Sequence, residues 1–297
     1  MAGPPPACLI LGRGSIGERH GRVLAALGHR VAFASRRAGV TLEQGLADGP
    51  GYVVVATETA DHGPALARLA AAGYAGQVLV EKPLLAAPGA LPAHRFASLH
   101  VGYNLRFHPL VTRLRAALAG RRALAAQFYV GQYLPEWRPG RDWRAGYSAS
   151  AGGGGGALRD LSHELDLALW LLGPARRVAA AGGSLSHLAT SADDIAALLL
   201  ETRDCPAVTI QLNLLDRRTR REIIVVCDDA TIAADLVAGT LTVDRAPPEP
   251  VAAGRDDSYA AMHQAVLGGG GDACTGAEGL AVVDLIACAE ACRWAAP

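Results

Sequence analysis

The 297-residue sequence predicts an α/β protein in two parts. A doubly wound parallel sheet comes first, and an α+β domain with a predominantly antiparallel open sheet follows. Three observations predict this order. Short apolar runs alternate with helix-length stretches over the first hundred residues. A glycine turn, Gly12-Arg13-Gly14-Ser15-Ile16-Gly17, directly follows the apolar run Cys8-Leu9-Ile10-Leu11. After residue 103 the apolar runs succeed one another through short turns, as antiparallel strands do.

In the first part, strands are predicted over 8–11, 31–34, 52–56, 78–80 and 99–101, with helices over 17–27 and 64–72 among the stretches between them. Gly12, Ser35, Thr57 and Glu81 fall at or just past the carboxyl ends of these strands, where open α/β sheets bind ligands. In the second part, a helix over 157–172 precedes strands over 195–200, 208–214, 222–227, 231–235 and 241–243. Thr209-Ile210-Gln211-Leu212-Asn213 shows the strand alternation. A closing helix is predicted over 277–294. The domains are therefore read as 1–103 and 104–297, with the closing helix left able to pack back on the first. The glycine run 152–156 is read as a mobile loop, and 268–271 as a plain one.

Hydrophobic residues make up 51% of the chain and charged residues 19%, which suits well-buried cores. The net charge is zero, so no overall field draws the protein to nucleic acid or to an anionic membrane. The cysteines are scattered without a CxxC pair, and Cys288 and Cys292 share a helix spacing that points to packing, so no metal site is expected. No signal peptide or membrane span is evident, and a reduced, cytoplasmic protein is expected.

The strand–glycine turn–helix succession suits a Rossmann-type dinucleotide site. The turn lets backbone N–H groups approach a pyrophosphate, and the helix N-terminus favours the anion. An ordinary glycine turn is the alternative. The second strand ends in Ser35-Arg36-Arg37, without the acid that would accept bonds from a bare ribose. A hydroxyl and two guanidinium groups suit a 2′-phosphate, so NADP(H) is favoured and NAD(H) stays possible. Two solvated surface arginines are the bland reading.

Glu81-Lys82-Pro83 follows the strand over 78–80. A residue before proline is held extended, and an ammonium group there can support a substrate hydroxyl as hydride leaves. Farther on, Asp160, His163 and Asp166 are spaced i, i+3, i+6 at the start of the predicted helix. A carboxylate near an imidazole can hold its tautomer and make it a general base. The alternative is a solvated helix face with Arg159, Asp160 and Glu164 as a charge cluster.

Together these pieces resemble the Gfo/Idh/MocA oxidoreductase family, which includes inositol dehydrogenases and glucose–fructose oxidoreductase. The resemblance rests on Gly12-x-Gly14-x-x-Gly17, on Glu81-Lys82-Pro83, on Val101-Gly102-Tyr103-Asn104-Leu105-Arg106-Phe107, and on the glycine run leading into Asp160-x-x-His163-x-x-Asp166. Glu278-Gly279-Leu280 and Asp284 add to it. It implies Lys82 as the catalytic lysine and His163 as the acid/base group. Many members carry an aspartate four residues before that histidine, where this chain has Arg159. Asp160 and Asp166 therefore both stay open as its partner, with Asp160 counted among the catalytic candidates. The cofactor would be lined by Gly12, Gly14, Ser15, Ile16, Gly17, Ser35, Arg36, Arg37, Thr57, Glu58, His62, Glu81, Lys82 and Asn104. His62 fits a capping or packed residue equally well.

Aromatic and basic residues gather in 133–148. Aromatic faces suit sugar C–H surfaces, and arginines suit carboxylate or phosphate. Tyr103, Arg106, Tyr133, Trp137, Arg144, Tyr147 and Asp166 are the substrate candidates, and convergence of Arg138, Arg141 and Arg144 would favour an anionic sugar or sugar nucleotide. A surface lobe or subunit contact is the alternative. The expected activity is hydride transfer at a secondary hydroxyl or keto carbon of a sugar, amino sugar or sugar nucleotide. A non-catalytic sugar or cofactor sensor, or an imine or tetrapyrrole reductase, is the competing expectation. The open sheet predicts a homodimer or homotetramer.

Overall fold

The computed structural model describes residues 7–137, 140, 142–152 and 154–292. In chain order it contains β1 (Cys8–Leu11), α1 (Ser15–Ala26), β2 (Val31–Ala34), α2 (Leu42–Ala47), β3 (Tyr52–Val55), α3 (His62–Ala71), β4 (Gln77–Val80) and β5 (Ser98–Val101). There follow α4 (Pro109–Leu118), β6 (Ala123–Gly131), α5 (Ala157–Asp160), α6 (His163–Leu172), β7 (Ala175–Gly183) and β8 (Ile195–Thr202). Next come β9 (Ala207–Asn213), β10 (Arg220–Cys227), β11 (Thr231–Asp235), β12 (Thr240–Val243) and β13 (Glu249–Pro250). The chain closes with α7 (Asp257–Leu267), β14 (Cys274–Thr275) and α8 (Gly276–Ala291).

Two compact units emerge, one of residues 1–107 with 254–280 and one of residues 108–253 with 281–297. The sequence division at 103/104 counted 254–280 with the second part. Their place in the first unit has a packing cause. Met262, Val266 and Ala273 are buried in one cluster with Cys8, Ile10, Leu24, Val54 and Leu79, and β14 adds an antiparallel strand beside β5.

The first unit is built on a sheet of order β14-β5-β4-β3-β1-β2. All its pairs except β14–β5 are parallel. β1 and β3 are buried at every position, as strands covered on both faces are. Full burial of each such Val, Leu or Ile contributes about 1.5–3 kcal/mol before entropy is counted. Strands change direction of succession at β1, so the ends of β1 and β3 frame the turn that Gly12 begins.

The second unit holds a sheet of order β13-β12-β11-β10-β6-β9-β8-β7. Its pairs are antiparallel apart from β6–β9, so the expected class holds. In β8 and β9 buried and exposed positions alternate. The sequence reading passed over α2, α4, β6, β7 and α7, because their apolar residues are interleaved with arginine, glutamine and alanine.

Two expectations change here. The predicted helix over 157–172 is broken. α5 ends at Asp160 and α6 starts at His163, with Leu161 at φ −103° and ψ 24°. Between them the backbone tightens to long three-residue bonds, Ser162 N–H to Arg159 and Glu164 N–H to Leu161, each 3.4 Å. Asp160 and His163 therefore belong to separate helices, and their i, i+3 spacing does not place them on one cylinder. The glycine run is exposed at Gly152 and packed from Gly154 on. Gly154, Gly155 and Gly156 are buried, and a Cβ at Gly156 (φ +110°) would lie 2.4 Å from Asp193 Oδ1. Small size there admits the carboxylate that accepts the Leu158 N–H at 2.9 Å.

Candidate active site

In the first unit, the turn after β1 is shaped by close approach. Gly12 has φ +98°, and a Cβ on it would stand 2.5 Å from Ala56 O. One on Gly17 would stand 2.3 Å from Gly12 O. Only hydrogen fits at either place. Ser15 and Ile16 open α1, whose N-cap residue Gly14 brings no side chain to the first N–H groups. A Cβ at Gly14 would meet nothing within 4 Å, so the space over the turn is open. The Thr57 hydroxyl, just past β3, is buried without a hydrogen-bond partner among the described residues. An open helix N-terminus beside an unsatisfied hydroxyl fits the diphosphate of a dinucleotide.

At the end of β2, Ser35 Oγ accepts the Ala38 N–H at 3.1 Å, capping the short turn Arg36–Ala38. Arg36 and Arg37 are exposed, and Arg37 Nη1 lies 3.5 Å from Arg13 O. Arg13 itself pairs with Glu18 at 2.7 Å and lies 5.1 Å over the Phe33 ring. Glu58 is exposed. His62 is held inside, 1% exposed. Its Nδ1 lies 2.9 Å from Pro83 O and its Nε2 3.3 Å from Thr57 O, and burial pushes the ring below the ordinary imidazole value. His62 thus ties the turn after β3 to the turn after β4, the packed alternative of the sequence reading.

Glu81, Lys82 and Pro83 follow β4, and the Lys82–Pro83 peptide is cis. Glu81 is 7% exposed. Burial pushes its carboxyl up, but its contact with His20, through both the hydrogen bond and the charge that ring can carry, together with the Lys82 charge and the Lys82 N–H, outweighs this and holds it below the ordinary value. Gly102 runs close by, with room for a Cβ only 3.1 Å from Glu81 Oε1. Tyr103, Asn104 and Arg106 are buried. Asn104 Nδ2 donates to Ser258 Oγ at 2.7 Å, and Arg106 pairs with Glu278 at 3.0 Å.

In the second unit, His163 is half-buried at the start of α6, whereas Asp166 is buried, 1% exposed. Glu164 and Arg159 each make an ion pair with a residue distant in sequence. Arg221 Nε meets the buried Glu164 at 2.7 Å, and Arg159 makes a two-pronged contact with Glu290 at 2.6 and 3.2 Å. Tyr133 lies under Arg217, 4.2 Å from its ring centre. The Trp137 indole N–H is buried without a partner among the described residues. Arg144 is exposed, 3.7 Å from Asp142 and 4.5 Å over Trp143, and Tyr147 is exposed. Arg138 and Arg141 lie outside the described residues.

The sequence reading missed Tyr52, His263 and His20, which follow one another in the first unit in a file whose last member, His20, meets Glu81. The signal for His20 was present: it follows the buried Gly17 by three residues on α1 and is itself buried. Among the described residues no group of three or more His, Cys, Asp or Glu side chains is placed to hold a metal. No helix among them is long and apolar enough to cross a membrane.

Residues 122–233 match the family described as the GFO/IDH/MocA C-terminal domain. No curated protein matches the chain. Solved structures do share its fold over nearly its whole length. GenD2 from gentamicin A biosynthesis, in complex with NAD, is 27% identical with a TM-score of 0.77, covering 97% of this chain and 94% of its own. The WlbA dehydrogenase from Bordetella pertussis, in complex with NADH and UDP-GlcNAcA, is 20% identical with a TM-score of 0.79, covering 98% and 96%. The UDP-N-acetylglucosamine 3-dehydrogenase GnnA from Acidithiobacillus ferrooxidans is 20% identical with a TM-score of 0.77, covering 97% of each chain. These structures share the fold of this chain across both of its units.

Proposed function

We propose that this chain is a nicotinamide-dependent oxidoreductase that moves hydride to or from a secondary hydroxyl or keto carbon of a sugar, amino sugar or sugar nucleotide. The likeness to GenD2, WlbA and GnnA supports this class. The observation that carries it is Lys82. It is the one lysine in a chain whose 28 basic residues are otherwise all arginine, and it stands where the resemblance requires an ammonium group. Arginine supplies a fixed charge everywhere else. A lysine adds a compact charge whose proton can be tuned by its surroundings.

When bound, the nicotinamide supplies the hydride acceptor or donor. In the oxidative direction His163 takes the hydroxyl proton at a ring nitrogen, and the Lys82 ammonium supports the oxygen as its negative charge grows. The carbon then loses its hydrogen with both bonding electrons, leaving a carbonyl. Lys82→Ala and His163→Ala should each lose turnover by roughly 10²–10⁴-fold yet still quench or bind NADPH as the parent does. Near-normal turnover of a keto sugar by either variant would remove that residue from the reaction.

NADP(H) is the cofactor we favour. Ser35, Arg36 and Arg37 support this, because the exposed guanidinium groups can meet a 2′-phosphate and no acid stands at that place to repel it. A preference of about tenfold or more in kcat/KM for NADPH over NADH is expected from such charge-assisted bonds; a preference for NADH would reverse the assignment. The alternation in β8 and β9 leaves a free sheet face on which Leu199 is 55% exposed, which supports a homodimer or homotetramer. Light scattering should give a multiple of the 30.7 kDa chain mass, and a monomer would contradict it.

A further inference from the structure

The first unit buries a file of polar side chains that the reaction above leaves without a role. Tyr52 Oη lies 2.9 Å from His263 Nδ1, and His263 Nε2 lies 2.9 Å from His20 Nδ1. His20 Nε2 in turn lies 2.9 Å from Glu81 Oε1. Glu81 then accepts the Lys82 N–H through Oε2 at 3.1 Å. The members come from β3, α7, α1 and the turn after β4. Tyr52, His263 and His20 are each 0% exposed, and Glu81 is 7% exposed. The fully buried members have one another as hydrogen-bond partners, so their protons must satisfy one another.

That requirement gives the file a direction. Tyr52 is fully buried, which keeps it a phenol, far above its ordinary titration range. Its O–H needs an acceptor, and His263 Nδ1 is the partner it has. Burial pushes His263 well below the ordinary imidazole value, so that ring carries one proton, on Nε2. His263 Nε2–H points at His20 Nδ1, which must accept. His20 then carries its own proton on Nε2 and gives that bond to the ionised Glu81. Every link is donor to acceptor, and no second proton fits on His20.

We propose that Tyr52, acting through His263, keeps His20 neutral, so that the Glu81 carboxylate carries an uncompensated negative charge beside Lys82 and holds the Lys82 ammonium protonated. Tyr52, His263 and His20 are thus positioning residues for the lysine. The opposite arrangement, with an imidazolium at His20, would close an ion pair on Glu81 and put a positive charge near the ammonium. The claim rests on the reading of Lys82 as the catalytic cation.

The other charged and titratable groups facing this file do not supply the same control: His62 on α3, which Glu81 influences, is pushed by burial below the ordinary imidazole value. On α7, Tyr259 meets His20 edge-on at 5.4 Å. Burial keeps it a phenol, so it brings no charge. Arg19, 4.0 Å over that ring, is paired with Asp256 at 2.8 Å. Cys8 and Tyr74, which act on Tyr52, and His29, which acts on His263, lie toward the far end from Lys82.

Two measurements test this without substrate. In histidine-labelled protein at neutral pH, ¹⁵N couplings should show His263 and His20 as neutral Nε2–H tautomers. Lysine-selective ¹⁵N labelling yields one side-chain signal, because the chain has one lysine, and its titration reads Lys82 directly. Tyr52→Phe and His263→Phe free His20 to take a second proton, and should lower the Lys82 titration by about 1 unit. His263→Gln can accept from Tyr52 through its amide oxygen and donate to His20 through its amide nitrogen, and should restore the parent titration. An Nδ1–H tautomer or an imidazolium at His20 in the parent protein would overturn the proposal. So would an unchanged Lys82 titration in folded Tyr52→Phe. With a keto sugar and NADPH, the alkaline limb of the rate profile should move down with the Lys82 titration while KM for NADPH holds. If the titrations behave as stated but Lys82→Ala retains turnover, the relay is upheld and the oxidoreductase reading of Lys82 falls instead.

Discussion

The two units stabilise a buried carboxylate by opposite means. Glu81, in the first, accepts from the neutral-donor side of a histidine and from a backbone N–H. Glu164, in the second, meets a guanidinium directly at 2.7 Å. A carboxylate satisfied by hydrogen bonds alone keeps its charge available to a neighbour, whereas one closed by an arginine does not. Glu81 is thus placed to act on Lys82, and Glu164 is placed to hold α6 against β10. Adjacent acids in the two sequence motifs, alike on paper, have different work because of what faces them.

The contrast is broken most severely at Arg221. Arg221→Ala leaves Glu164 buried without its cation. It should cost about 3 kcal/mol in urea unfolding, the low end for a severed buried pair because Arg221 is 19% exposed. A loss under about 1 kcal/mol would show that Glu164 does not depend on that pairing.

The next largest effect belongs to the first unit and is read by pH. Burial pushes His62, His100 and His263 below the ordinary imidazole value, and all three lie in that unit. Below about pH 6.5 the unfolded chain therefore binds protons that the folded unit refuses, and stability falls as pH drops. The limiting slope is about 1.4 kcal/mol per pH unit for each imidazole, until its folded titration point is reached. Above about pH 6.5 this contribution is level. His263→Gln should flatten the slope, and a chain whose stability holds level through this acid range would contradict the burial argument.

The smallest effect sharpens the comparison. Arg159→Ala removes a pair whose carboxylate, Glu290, is 35% exposed. Solvent screens it, and about 1 kcal/mol or less should be lost. A cost equal to that of Arg221→Ala would mean that burial does not separate the two pairs.

Much of the first unit was legible because its strands are uninterrupted apolar runs ending at residues with few other reasons to be there. Cys8–Leu11 begins and ends where the sequence places it, and Gly12, Thr57 and Glu81 sit at strand ends as expected. β6 was not legible as an apolar run, since Gln127 and Tyr129 alternate with the buried Ala126, Phe128 and Val130. The break at Leu161–Ser162 escaped because leucine and serine carry no stop signal comparable to glycine or proline. Lys82 was singled out by its motif, but the stronger signal, its being the chain's one lysine, lay in the composition. His263 was beyond reach of local pattern, because its partners Tyr52 and His20 are 211 and 243 residues away.

The return of residues 254–280 to the first unit has a consequence for how the protein can be made. A ribosome exposes β1 to β5 early, yet the helix bearing His263 and the strand Cys274–Thr275 leave the exit tunnel only after the whole eight-stranded sheet. Until then Tyr52 and His20 face no imidazole and β5 has an uncovered edge. A fragment truncated at residue 107 is frozen at that stage of synthesis, so the first unit is a product of residues 254–280 as much as of those that open the chain.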